Sequence, residues 1–216
     1  MTPIWHPSPN FGPRRDLARP SLVLIHYTAM DSAEAALERL CDPGPEVSAH
    51  YLIGEKGTLW QMVREDDRAW HAGAGSWMGC DDINSQSIGI ELANRGDHPF
   101  SEPQMTVLEK LLAGILTRWS ISPQSVLGHS DTAPGRKIDP GKRFDWKRLA
   151  DAGLAHWPEP VNGPEMDGDG FVAAMRNAGY TGSADAAVLL DVLRHRYRPF
   201  AQGPRGAADE AVARGL

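Results

Sequence analysis

Residues 85–94, SQSIGIELAN, set a glutamate in the middle of an apolar run. The run is apolar on both faces toward its end, the pattern of a central strand rather than an edge strand. A similar run, SLVLIHYTA at 21–29, is bounded by Pro20 and Asp31 and reads as another buried strand. Helical patterns alternate with these strands. DSAEAALERL can be capped by Asp31 or Ser32, and Glu34 stands at capping-box distance from Asp31. SEPQMTVLEKLLAGILTRW repeats apolar residues at Met105, Leu108, Leu111, Leu112, Ile115 and Leu116, the stripe of a helix lying on a sheet, with Ser101 as cap. SAHYLIGEKGTLWQMV reads as a hairpin around a Glu-Lys-Gly turn, SVLGH as a short strand and FDWKRLADAG as a short helix. The expected fold is α/β, a mixed central β-sheet flanked by helices.

The expected main domain covers residues 1–156. The segment WPEPVNGPEMDGDG is rich in Pro, Gly and acid, so 157–169 is expected to be a linker. Beyond it, 170–216 contains FVAAMRNAGY, DAAVLLDVLRHRYRP and GAADEAVARGL, a small helical module too short to be robust without docking. MDGDG hints at a calcium loop. Counting from Asp167, the twelfth position is Ala178, where the bidentate Glu should stand, and the reading fails.

With a net charge of −6 the chain is not expected to bind nucleic acid or an anionic membrane, both of which reward a basic face. The two cysteines, Cys41 and Cys80, match no metal or redox spacing. No apolar run approaches a membrane span, and MTPIWHPSPNFGPRRD lacks the pattern of a secretory signal. The expected location is the cytoplasm, or the periplasm if the chain is exported or trimmed.

The chemistry concentrates in GHSDTAPGRKIDPG, residues 128–141, which has almost no core-forming residue. His26 lies at the C-terminal end of a buried strand, where sheet-based sites gather. His26, His129 and Asp139 could close three positions of a tetrahedral zinc site and leave the fourth open for water. Their plain alternative is a structural His and two loop residues. Lys137 shares an extended face with Asp139 and could stabilise an oxyanion; otherwise it is a solvated surface lysine. Glu91, mid-strand among apolar neighbours, is the best lone candidate for a general base; otherwise it is an edge carboxylate facing water.

The pieces PSPNFGPR, LVLIHYTAM, VSAHYLIGEKGTLWQMV, AWHAG, SIGIELAN, VLGHSDTAPGRKIDPG and FDWKRLA occur in order over residues 7–150. In this the chain resembles the zinc-dependent N-acetylmuramoyl-L-alanine amidases of type 2, the AmpD/AmiD-like group. Phage lysozyme-like amidases and peptidoglycan recognition proteins are more distant relatives. The resemblance implies zinc held by His26, His129 and Asp139, with Glu91 and Lys137 catalytic. The implied reaction is hydrolysis of the amide between N-acetylmuramic acid, or its 1,6-anhydro form, and L-alanine in muropeptides or peptidoglycan. It also implies groove roles for His50, Trp70, His71, Tyr27 and Asn94. The tail looks like a small peptidoglycan-binding module. A non-catalytic peptidoglycan recognition protein is the alternative, and relatives of that kind lose a metal ligand.

Overall fold

A computed structural model describes residues 2–216. In chain order the elements are β1 (Ile4–Trp5), β2 (Phe11–Pro13), β3 (Leu22–Tyr27), α1 (Ala33–Cys41), β4 (Tyr51–Ile53), β5 (Leu59–Gln61), β6 (Asp67–Ala69), α2 (Ile83–Gln86) and β7 (Ser87–Leu92). They continue with α3 (Glu102–Trp119), β8 (Val126–Gly128), α4 (His129–Thr132), α5 (Trp146–Asp151), α6 (Gly168–Asn177), α7 (Ala186–Tyr197) and α8 (Ala207–Gly215). Six strands form one mixed sheet in the order β1-β5-β4-β7-β3-β8, and β2 pairs with β6 beside it. β4, β7, β3 and β8 run parallel, while β4 and β5 form the expected antiparallel hairpin.

The period-2 alternation of the central strands sorts two cores. Val23, Ile25, Ile88, Ile90 and Leu92 face α3 and pack on Met105, Leu108, Leu112 and Ile115. Leu22, Leu24 and Leu127 face the other way, onto Phe171, Met175, Leu189 and Leu193 of the C-terminal helices. The module therefore supplies the second cover of the sheet, because three short helices cannot bury their own apolar faces. On that same side Leu52 of β4 packs with Ala36 and Leu40 of α1. No helix among the described residues is long and apolar enough to cross a membrane.

The structure sharpens three local readings. The strand expected from Ser85 starts at Ser87, because Asp82 caps a helical turn over Ile83–Gln86 by accepting from the Ser85 N–H. α1 is capped by Ser32, which accepts from the Ala35 N–H, so the capping box from Asp31 to Glu34 is not used. The Pro- and Gly-rich segment after Trp157 is pinned chain: Val161 N–H donates to Ala211 O, Met166 N–H to Glu210 Oε2, and Asp167 caps α6.

Among the described residues, one ionic contact joins the C-terminal helices to the turn after β8. Asp131, in the short helix α4, accepts from Arg196 Nη1 of α7 at 2.6 Å and from Tyr180 Oη, in the turn after α6, at 3.3 Å. Its Oδ2 also accepts the Gly128 N–H at 2.8 Å, which fixes the turn from β8 into α4. The Arg196 guanidinium lies over the Trp146 ring, 4.0 Å from its centroid.

Candidate active site

Neighbouring parallel strands deliver the site at their carboxyl ends, the usual crevice of an open α/β sheet. His26 near the end of β3 stands in register with Glu91 of β7, and β8 on the other side of β3 ends directly before His129. His129 opens the short helix α4, where a loop position was expected. The chain then folds back so that the Ser130 N–H donates to Asp139 O at 3.0 Å. Gly128 permits the return, because a Cβ there would meet Pro140 Cδ at 2.7 Å.

His26 Nδ1, His129 Nδ1 and Asp139 Oδ2 form a triangle with edges of 3.0, 2.9 and 3.0 Å. All three residues are buried. His129 Nε2 lies 2.8 Å from Ala72 O and so carries the hydrogen, leaving the Nδ1 lone pair turned inward. Converging lone pairs and a carboxylate repel one another unless a cation sits among them. Two imidazole nitrogens and one carboxylate oxygen are a zinc-type donor set, for which ligand atoms ~2.0–2.1 Å from the metal stand roughly 3.3 Å apart. The triangle needs only a slight opening, so these residues fit zinc.

Burial, followed by the proximity of His129, lowers the His26 pKa to about 4, so the ring is neutral and ligand-competent at pH 7. Burial works to raise the Asp139 carboxyl, but its contacts with His129 and His26 outweigh that and hold it well below the usual range. Across the site, burial and then the negative charge of Asp139 push Glu91 up to about 8, against the opposing pull of Lys137. Glu91 Oε2 is buried with no hydrogen-bond partner among the described residues. A carboxyl so placed is poised to exchange a proton near neutral pH.

These five residues line one cavity of about 690 Å³, together with Tyr27, Trp70, His71, Met30, Arg39 and Arg136. A larger cavity, about 820 Å³, lies along α3 around Glu65. That carboxylate is already satisfied by Tyr51, Arg118 and Trp119, so the unpaired chemistry is in the smaller one. Tyr27, Trp70 and His71 therefore stand at the groove. His71 also meets His26 directly, Nδ1 to Nε2 at 3.0 Å.

His50 and Asn94 are not brought to the groove surface. His50 is fully buried, accepts the Gly89 N–H at its Nδ1 and contacts Asp67 O through Nε2, which makes it a brace between strands. Asn94 accepts the Gly96 N–H at Oδ1 and donates to His98 O, fixing the loop after β7. Sequence reading missed Arg136, which donates to Ala72 O at 2.7 Å and to Ala74 O and so ties the Lys137 loop to the segment after Trp70. Its position next to Lys137 was the available signal.

Comparison with known proteins identifies the family. Residues 16–142 match the family described as N-acetylmuramoyl-L-alanine amidase. The chain is 40% identical over 157 residues to N-acetylmuramoyl-L-alanine amidase AmiD of Escherichia coli, covering 65% of this chain and 56% of that one, so the match spans little more than half of that relative. It is 35% identical over 159 residues to 1,6-anhydro-N-acetylmuramyl-L-alanine amidase AmpD of Haemophilus influenzae, covering 65% of this chain and 86% of that one. Among solved structures it is similar to E. coli AmiD in complex with anhydro-N-acetylmuramic acid-L-Ala-D-gamma-Glu-L-Lys, with a TM-score of 0.83, 32% identity and coverage of 94% and 90%. That superposition reaches into the C-terminal helices, and the family match spans more than half of the sequence: the chain belongs to the N-acetylmuramoyl-L-alanine amidase family.

Proposed function

We propose that this protein is a zinc-dependent amidase that hydrolyses the amide joining the lactyl group of N-acetylmuramic acid, or its 1,6-anhydro form, to the L-alanine of the stem peptide. The observation that carries the reading is the buried His26–His129–Asp139 triangle facing the unpartnered carboxyl of Glu91. Family membership and the muropeptide complex of the E. coli relative support the substrate class.

His26, His129 and Asp139 would hold the metal. When bound, zinc supplies a Lewis acid that polarises the scissile carbonyl and activates water. Glu91 removes a proton from the attacking water as its oxygen bonds to the carbonyl carbon. Lys137 brings its ammonium to the same cavity and stabilises the negative charge developing on the carbonyl oxygen. The protonated Glu91 then gives its proton to the amide nitrogen as the C–N bond breaks, releasing the muramyl carboxylate and the free amine of L-alanine. Trp70 and Tyr27 wall the groove that receives the stem peptide.

The test is product analysis on that anhydromuramyl tripeptide, using the full chain with zinc and with a chelator. Free tripeptide and anhydromuramic acid should appear only with zinc. Tight binding without turnover by the zinc-loaded protein would replace this reading with the recognition protein.

A further inference from the structure

We propose that His71 and Ser87 act as positioning residues that fix which nitrogen of His26 carries hydrogen, so that the Nδ1 lone pair already faces the ligand triangle before any metal arrives. This rests on the metal-site reading above. The chain of contacts begins at Ser87, whose hydroxyl has a single hydrogen. Ser87 Oγ lies 2.7 Å from Ile83 O, a group that can only accept, so the hydrogen is committed there. The same oxygen lies 3.3 Å from His71 Nε2 and is left to accept, which places the His71 hydrogen on Nε2. His71 Nδ1 is then a bare acceptor, 3.0 Å from His26 Nε2, and draws the His26 hydrogen onto Nε2. What remains on His26 is a free Nδ1, 3.0 Å from His129 Nδ1 and 2.9 Å from Asp139 Oδ2.

The fold builds this relay deliberately into the sheet. Ser87, Gly89 and Glu91 share one face of β7, the face onto which the His71 ring is laid. A Cβ at Gly89 would stand 2.5 Å from His71 Cγ, so the ring fits only because that residue is glycine. The backbone is held as well: Asn84 Oδ1 accepts both the His71 and the Ala72 N–H. Ala72 O is in turn the acceptor for His129 Nε2. Two imidazole ligands are thus oriented through one short segment, residues 71–72.

The relay is tested with Zn2+ alone, by chelator competition on the full-length chain and its variants. His71→Leu removes the acceptor and should weaken Zn2+ binding about 10- to 100-fold. His71→Asn can return an oxygen acceptor near the Nδ1 position and should recover most of the affinity. Ser87→Ala should fall between them. Nitrogen NMR of the metal-free wild type should show hydrogen on Nε2 of His26 and none on Nδ1. Wild-type Zn2+ affinity in His71→Leu, or hydrogen on His26 Nδ1 in the metal-free protein, would overturn the relay while leaving the amidase reading intact. If the Leu variant does not fold, the Asn variant and the spectrum decide: an Asn variant that folds yet binds 100-fold more weakly also overturns it.

Discussion

Replacing Glu91 by glutamine should make the metal-free protein more stable and the enzyme inactive. The carboxyl is raised from 4.5 to about 8, chiefly by burial and then by Asp139. Between those values the unfolded chain holds Glu91 ionised while the folded protein holds it protonated, so folding takes up a proton. The folded state therefore binds more protons, and this group's contribution to stability is full below about pH 4.5 and falls as pH rises toward 8. At about 1.4 kcal/mol per pH unit, the cost near pH 7.5 is at most roughly 4 kcal/mol. A buried glutamine amide without partners returns ~1–3 kcal/mol of that. The expected net gain is about 1–3 kcal/mol, or a few degrees in Tm for a chain of this size. Thermal melts with chelator near pH 7.5 should show the variant above wild type, and the difference should shrink to zero or reverse near pH 4.5. Equal melting at pH 7.5, or a gain that does not change with pH, would refute the assignment of Glu91 as a destabilised, high-pKa carboxyl. Muropeptide turnover by the variant should fall by about 10²–10⁴.

Lys137→Met should lower kcat by about 10²–10³ with little change in chelator-measured zinc affinity, since the proposed role of Lys137 is to support charge in the transition state and it does not belong to the His26–His129–Asp139 triangle. Chelation should abolish turnover and lower Tm, with zinc restoring both; at free zinc 100-fold above Kd the stabilisation is about 2.7 kcal/mol, readable by calorimetry. Phe171→Ala, far from the chemistry, should destabilise the whole protein by about 3–5 kcal/mol in urea unfolding as one transition, because that ring packs into the core shared by the sheet and the C-terminal helices. Gly89→Ala should lose at least as much zinc affinity as His71→Leu, because its Cβ displaces the ring.

The strands and long helices were legible because their signals are local. The apolar run around SIGIEL and the stripe of α3 depend only on neighbours in sequence, and Ser101 caps α3 as its position implied. The five groups of the site were legible as residue types that a strand end or a Gly- and Pro-rich loop gains nothing from carrying. What was hidden is whatever depends on pairing at a distance. The role of Ser87 is visible only once α2 places Ile83 O beside it. The family resemblance implies a groove role for His50, yet register turns it inward to the Gly89 N–H. The C-terminal segment reads as an appendage because its apolar faces say nothing about which surface they meet, and that surface proved to be Leu22, Leu24 and Leu127.

The contact between Asp131 and Arg196 sets a condition on trimming or transplanting the catalytic part of this chain. Both groups are almost completely shielded from solvent, and Asp131 also fastens the peptide directly before His129. Cutting away the last sixty residues would remove both the cation and the cover of that carboxylate. A shortened version would then have to admit water beside His129 or carry a neutral side chain at position 131. The tail is in this sense a keystone, and any shorter design has to begin by rewriting that one residue.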